Sequence, residues 1–216
     1  EEFVKSRKLS LPIKLHRFFY HFILRKMDKI VVPSKYLKNH LIDIGVGKDN
    51  VCIIYNSVKS SNFNEYNIRN VSSIDKFHLI TVCRLVSWKG LPDLIMCVKN
   101  NSHLCLKIVG TGPEEKKLMQ LAADFGIQDR VIFVGQLISS EVQKELQKSD
   151  LFILNSEYEG LPHVVLEAMT EGIPVVASKV GGTPELVIDR YNGLLVEEGN
   201  ISSLDTAIQE CYSSVD

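Results

Sequence analysis

Two glutamates, Glu159 and Glu167, are separated by seven residues that contain a Gly-Leu-Pro turn and an apolar run. Pro162 suits the first turn of a helix, which predicts Glu159 at the mouth of that helix and Glu167 on its second turn. Backbone N–H groups at a helix start lack intrahelical partners and, with the helix dipole, attract anions. This combination suits a sugar nucleotide, because the carboxylates would accept hydrogen bonds from hydroxyl groups and the amides would donate to phosphate. The intervening residues predicted to line this end of a site are Gly160, Leu161, Pro162, His163 and Val164.

A purely structural interpretation of the same residues stays open. Glu159 would then be an acid that favours the positive end of the helix dipole, and Glu167 would be a solvated helix residue. His163 would either donate a hydrogen bond to phosphate or be an ordinary exposed side chain. The neighbouring loops favour the functional interpretation.

Two cations follow a strand-like segment in the loop CRLVSWKG, where Arg84 and Lys89 are five positions apart. A guanidinium fork and a mobile ammonium that converge on one spot would form a clamp for a diphosphate, able to neutralise a leaving nucleotide. Taken alone, the pair is equally compatible with solvated surface.

Glycine-containing turns follow the next strands. In VGTGPEE, the backbone at Gly110 and Gly112 would either approach a ligand or close a tight turn, and Glu115 stands where a dinucleotide fingerprint needs its third glycine. In FVGQL, the backbone around Val134 and Leu137 would offer amides and carbonyls to a nucleobase edge. The paired glycine of SKVGGTPELV predicts a tight turn that opens a helix, required by either a ligand or packing.

Regularly alternating strand and helix signals position these loops. From Phe77 onward, each β-rich apolar run is followed by a helical segment, which predicts a doubly wound, Rossmann-like α/β fold with a parallel sheet. Ligands of such sheets bind at the carboxyl ends of the strands. The strand segments are FHLITV, LCLKIVG, VIFVG, LFIL, PVVA and GLLV, and helices are predicted near 91–99, 114–125, 140–148 and 201–212.

A different segment precedes this pattern. KIVVP and VCIIYNSV are predicted strands, and Ser34 is the predicted cap of a helix between them. Residues 59–76 are rich in Ser and Asn and long for a loop, which is typical of a linker. The predicted organisation is therefore the end of one domain at 1–58, a linker at 59–76 and the Rossmann-like domain at 77–216.

The composition is that of an ordinary globular protein: 216 residues, 45% hydrophobic, 24% charged, with a net charge of −1. Charged residues or glycine interrupt every apolar stretch before membrane-spanning length. The five cysteines are odd in number, scattered and without a CxxC pair, so they are predicted to be reduced core thiols of a cytoplasmic protein.

The charge is unevenly distributed, because residues 1–40 carry ten Lys or Arg and three acids. Between Ile13 and Met27, bases alternate with aromatic and aliphatic residues, which is compatible with an amphipathic helix on an anionic membrane surface. A helix packed on a further domain is the equal alternative. The first residue is not Met and lies in a helix-like segment, so the chain is expected to start partway through a longer protein.

Taken together, the motifs resemble the nucleotide-binding domain of a GT-B retaining glycosyltransferase of family 4. The resemblance spans about residues 79–196 and is carried by CRLVSWKG, VGTGPEE, the Glu159 and Glu167 pair, and VGGTPEL followed by NGLLV. VVPSKYLKNHL and IIYNSV resemble the end of the family's acceptor-side domain and its crossover.

The resemblance implies a role for each residue. Arg84 and Lys89 would bind the donor diphosphate, Glu159 the hydroxyls of the transferred sugar near the reacting carbon, and Glu167 the ribose. Fixed cations on the departing phosphate would stabilise the transition state more than the ground state. Members of this family generally need no metal, so no metal and no cofactor are expected beyond a donor such as a UDP- or GDP-sugar.

The resemblance also implies a glycan or lipid-linked acceptor. No nucleic-acid partner is expected. The expected location is cytoplasmic, and it would be peripheral on the inner face of the cell membrane if the basic amphipathic helix binds there. Because most of the first domain is expected to be missing, this chain should bind the donor without catalysing transfer by itself. Two alternatives stay open. A sugar-nucleotide epimerase of the same architecture would need a different residue set, and a non-catalytic domain would be expected to have lost Arg84, Lys89 or Glu159.

Overall fold

A computed structural model describes residues 11–58 and 76–214 of the chain. The chain separates into two compact units, Glu1–Asn56 and Ser57–Asp216. The predicted linker at 59–76 lies, except for Lys76, outside the described residues.

In the first unit, residues 11–56 form two short parallel strands, β1 and β2, and two α-helices, α1 and α2. Ser34 caps α2 as predicted, because its Oγ accepts a hydrogen bond from the backbone N–H of Leu37 at 3.1 Å. The second strand is shorter than the predicted VCIIYNSV and ends at Ile53. The elements are α1 (Leu11–Lys26), β1 (Ile30–Val32), α2 (Lys35–Asp43) and β2 (Val51–Ile53).

Helix α1 contributes Leu24 to the small core of this unit, whereas Phe18, Phe19 and Phe22 are each more than half exposed. One basic residue of α1 makes a hydrogen bond within this unit, since Arg25 Nε donates to the Ile44 carbonyl at 2.7 Å. In the part of the chain that the structure describes, no helix combines the length and apolar content required to cross a membrane.

The second unit is built on a six-stranded, fully parallel sheet, which confirms the predicted doubly wound α/β fold. Its strands are β3 (Phe77–Val82), β4 (Leu104–Val109), β5 (Val131–Gly135), β6 (Leu151–Leu154), β7 (Val175–Ser178) and β8 (Leu194–Val196). Its helices are α3 (Leu91–Asn100), α4 (Glu115–Asp124), α5 (Ser139–Gln147), α6 (His163–Thr170) and α7 (Ile201–Ser213).

Alternate strand residues point to opposite faces of this sheet, and each face has its own core. Leu79 belongs to the core that α3, α4 and α7 cover, and its neighbour Ile80 belongs to the core that α5 and α6 cover. Both side chains are completely buried. Helices on both faces explain why the strands read as nearly continuous apolar runs.

The strand order is β5-β4-β3-β6-β7-β8. From β3 the chain proceeds outward through β4 and β5, then returns to add β6 on the other side of β3. The carboxyl ends of β3 and β6 therefore flank the point where the winding direction reverses, which is where doubly wound sheets leave a crevice for ligands.

The segment after β7 differs from the prediction. VGGTPEL opens only a single 3-10 turn, Thr183–Glu185, and not a helix. The side chain of Asn192 accepts from the Ile188 backbone N–H at 2.7 Å and donates to the Leu186 carbonyl at 2.9 Å. These bonds occupy backbone groups that a continuing helix would have used.

The cysteines only partly follow the prediction of core thiols. All five are free, and Cys97 is buried, but Cys52 is exposed on β2. Burial raises the pKa of the Cys83 thiol to about 11, so this cysteine beside the basic loop stays protonated at neutral pH.

Candidate active site

The basic loop after β3 and the acidic loop after β6 meet at the reversal point of the sheet. Lys89 lies in the 3-10 turn Ser87–Lys89, and its Nζ is 2.5 Å from Oε1 of Glu159. The two side chains are only 16% and 12% exposed, so the ion pair is largely shielded from solvent. An ammonium carries three N–H donors, so Lys89 has two donors beyond the one that it directs to Glu159.

Arg84 lies two residues after the end of β3 and is exposed. None of the described residues pairs with its guanidinium. The structure thus brings Lys89 and Glu159 into contact, while Arg84 shares with Lys89 only the loop that follows β3.

The glycines of VGTGPEE serve loop packing. A Cβ on Gly110 would stand 1.9 Å from the Cys83 carbonyl oxygen, and one on Gly112 would stand 2.2 Å from the Leu85 carbonyl oxygen. Of the two open interpretations, the tight turn is the one favoured, because the close approach is to the basic loop. These glycines let the loop after β4 support the backbone around Arg84.

The loop after β5 makes a similar connection. The Gly135 carbonyl accepts from the Gly110 backbone N–H at 2.7 Å, which joins the ends of β4 and β5. The predicted base-contacting residues Val134 and Leu137 are half-buried and pack against the core below. Contact of their backbone with a nucleobase stays a prediction.

Gly181, in the loop after β7, packs against the backbone of Glu159. It has φ of +55°, and a Cβ there would stand 1.7 Å from the Glu159 carbonyl oxygen. The backbone N–H of Gly182 donates to that same carbonyl at 3.1 Å. Of the paired glycines, Gly181 is therefore the one required by packing against the backbone of Glu159, since Gly182 has an ordinary φ of −86°.

Gly181→Ala should destabilise the second unit by about 3 kcal/mol, because it combines left-handed backbone strain with a steric clash against backbone. Gly126→Ala is the matched control: Gly126 also has a left-handed φ of +66°, but its added Cβ would meet no described atom within 4 Å. That control should lose about 1 kcal/mol. Urea unfolding of both variants measures the difference, and equal losses would contradict the packing role of Gly181.

The helix after this loop starts later than the sequence suggested. Helix α6 begins at His163, with Pro162 as the residue before its first turn and not within it. Glu159 consequently lies four residues before the helix, in a loop, while Glu167 is on the second turn as predicted. Leu161 is buried outside the helix, so the helix-start amides are those of His163 and Val164.

His163 and Glu167 are neighbours on one face of α6. Nδ1 of His163 is 3.4 Å from Oε1 of Glu167, and its Nε2 is 3.0 Å from the carbonyl oxygen of Ser57. His163 is half exposed and Glu167 less so, at 51% and 28%. Glu167 therefore lies further along the acidic segment than Glu159, with its carboxylate beside an imidazole and not a lysine.

Asn155 is the residue of this region that sequence reasoning missed. It follows β6 directly, is buried, and bonds to the turn that carries Lys89. The one available signal was an amide residue at the end of an otherwise apolar strand, since a buried amide requires partners.

The sheet order and the loops at its carboxyl edge place the second unit in the class of Rossmann-like α/β domains. The family model of the glycosyl transferases group 1 matches residues 64–214, and the chain belongs to this family. An uncharacterized glycosyltransferase of Methanocaldococcus jannaschii is 32% identical over 97% of the chain and 61% of its own length. The N-acetyl-alpha-D-glucosaminyl L-malate synthase of Bacillus anthracis is 29% identical over 87% of the chain and 51% of its own length.

Solved structures share the fold. HepE of Anabaena, in complex with UDP-glucose, superposes with a TM-score of 0.81 at 25% identity, over 92% of this chain and 57% of that one. Sucrose-phosphate synthase of Thermosynechococcus elongatus gives a TM-score of 0.82 at 25% identity, over 98% and 56%. The chain thus spans between about half and three-fifths of the length of these proteins.

Proposed function

We propose that the second unit is the donor-binding domain of a retaining glycosyltransferase that moves a sugar from a nucleoside diphosphate to an acceptor. The observation that carries this proposal is the contact between Lys89 and Glu159 at the reversal point of the sheet. Sugar transfer breaks the bond between the phosphate and the anomeric carbon. A cation that binds the phosphate and a carboxylate that binds the sugar hydroxyls, lying side by side, would contact the donor on both sides of that bond.

The charges suit the chemistry of that bond. As it breaks, negative charge accumulates on the departing diphosphate, where Arg84 and Lys89 provide fixed and mobile cations. Positive charge develops on the sugar, where the carboxylate of Glu159 lies. These groups stabilise the transition state more than the ground state, and the proposal assigns the phosphate charge to them and not to a metal.

The finer parts of the proposal are retention of anomeric configuration and a glycan or lipid-linked acceptor in cell-surface polysaccharide or glycolipid synthesis. Relatives support this setting, since one is the lipopolysaccharide core biosynthesis glycosyltransferase LpsD of Rhizobium meliloti, 33% identical over 62% of the chain and 39% of its own length. The exposed aromatic residues of α1 support peripheral contact with an anionic membrane. Cosedimentation with anionic vesicles that weakens with salt tests this contact.

Calorimetry with UDP and GDP tests donor binding by the complete chain. We expect saturable binding of at least one of them with one site per chain, and no saturation with the corresponding nucleoside, since the proposal places most of the contact at the phosphates. A folded chain that binds neither diphosphate would overturn the proposal. Hydrolysis of a panel of sugar nucleotides by the full-length protein, with and without EDTA, identifies the donor and tests independence from metal.

Glu167→Ala should weaken binding of the preferred nucleoside diphosphate about tenfold, because hydrogen bonds from ribose hydroxyls to a carboxylate are lost. Turnover at saturating donor should change little, since the ribose is remote from the reacting carbon. Glu171→Ala, one helical turn further along, serves as the control: Glu171 instead accepts from Gln143 and Gln147. Equal affinity of wild type and Glu167→Ala would leave Glu167 a helix surface residue.

A further inference from the structure

The buried side chain of Asn155, at the end of β6, bonds to the turn that carries Lys89. Asn155 is 6% exposed, and its Nδ2 donates to the Gly90 carbonyl at 3.0 Å and to Oδ2 of Asp93 at 3.1 Å. Its Oδ1 accepts from the Ser178 hydroxyl at 3.3 Å. We call these three contacts the Asn155 bridge. They connect the turn after β3, the first turn of α3 and the end of β7.

The backbone of the turn packs closely against Asn155. Gly90 has φ of +58°, and a Cβ there would stand 2.2 Å from the Asn155 carbonyl oxygen and 2.5 Å from its Nδ2. On the other side of Lys89, the Trp88 carbonyl accepts from the Glu157 backbone N–H at 2.8 Å. Lys89 is thus fixed through both of its chain neighbours to the segment that leads to Glu159.

From this geometry we infer that Asn155 is a positioning residue. It holds the Lys89 turn in the position from which the Lys89 ammonium, next to the Glu159 carboxylate, contacts the donor. The inference rests on the proposed function, because it assigns Asn155 an effect on donor binding that passes through Lys89. A lysine side chain has many rotamers. If the turn is displaced, the ammonium occupies more positions before binding, so ordering it costs more conformational entropy and its contact with phosphate is weaker.

A double-mutant cycle on UDP binding tests the inference in the complete chain, with GDP as the probe if GDP binds more tightly. Asn155→Ala should weaken UDP binding about fivefold when Lys89 is present, and less than about 1.5-fold in a Lys89→Ala background, because only coupled residues depart from additivity. Calorimetric stoichiometry reports the folded fraction separately from the dissociation constant. If Asn155→Ala yields no folded protein, Asn155→Ser gives the same cycle with a polar side chain that lacks the amide.

Asn101 provides a matched control. It is half-buried and, like Asn155, donates from Nδ2 to one backbone carbonyl, that of Cys97, and to one aspartate, Asp205. It follows α3 and precedes β4, so it lies at the edge of the sheet opposite the site. Asn101→Ala should lower the melting temperature as Asn155→Ala does, while the UDP dissociation constant stays unchanged.

The outcomes separate this inference from the proposed function. If Lys89→Ala does not weaken UDP binding, the proposed function of Lys89 fails. If Lys89→Ala weakens binding but Asn155→Ala behaves like Asn101→Ala, or if the effects of Asn155 and Lys89 add, Asn155 has a structural role only and the inference alone is overturned.

Discussion

Glu159→Gln should lower the turnover of the full-length protein about 100-fold or more while nucleoside diphosphate affinity changes less than about threefold. Glutamine has nearly the same shape as glutamate, so this substitution removes the negative charge and leaves the size of the side chain unchanged. Its charge acts on the sugar, where positive charge appears only in the transition state. Removing it also frees the ammonium of Lys89 from its 2.5 Å contact, so binding of the diphosphate alone is retained or strengthened.

Turnover is measured as release of nucleoside diphosphate from the preferred sugar nucleotide, and affinity by calorimetry. Glu157→Gln is the control, because Glu157 is an exposed acid in the same loop. Similar turnover for Glu159→Gln and Glu157→Gln would show that the carboxylate of Glu159 serves only its ion pair with Lys89.

Lys89→Ala should weaken nucleoside diphosphate binding about 10- to 100-fold, equivalent to about 1.5–3 kcal/mol for a charged hydrogen bond. The loss has two physical sources. A phosphate contact disappears, and the carboxylate of Glu159, only 12% exposed, is left without its counter-charge beside an incoming anion. Combining Lys89→Ala with Glu159→Gln should therefore recover part of the affinity.

Titrations at several salt concentrations check the charge argument, since Lys89→Ala should flatten the salt dependence of binding. Lys179→Ala is the control, because Lys179 is an exposed lysine at the end of β7 whose ion pair with Glu197 is looser, at 3.8 Å. If the double variant binds no better than Lys89→Ala, repulsion by Glu159 makes no contribution to the loss.

The alternation of apolar strands and amphipathic helices was sufficient to predict the fold of the second unit. Buried parallel strands such as Phe77–Val82 must be apolar on both faces, so their sequences are distinctive even without relatives. The segment after β7 was predicted wrongly because its outcome depends on Asn192, a side chain several residues away that takes the backbone groups of a helix. Such side-chain competition has no periodic signature.

At the candidate site, too, some features could be predicted from local sequence and others depended on contacts between distant segments. Residue type and position after a strand predicted that Arg84, Lys89 and Glu159 would lie at one edge of the sheet, because the carboxyl ends of parallel strands share that edge. No sequence pattern indicated that Lys89 and Glu159 are in contact, since the distance between them depends on the strand order that places β6 beside β3. The helix start at His163 instead of Pro162 likewise depends on how the preceding loop packs.

By itself, the sequence determined the class of fold, the family to which the chain belongs and the chemical types available at the loops. Apolar periodicity and motif spacing are local properties, so they can be read along one chain. Only the tertiary structure decided that Gly181 supports the backbone of Glu159 and that Asn155 holds the turn of Lys89. These contacts join segments up to 65 positions apart, and their existence depends on distances between loops that no local pattern encodes.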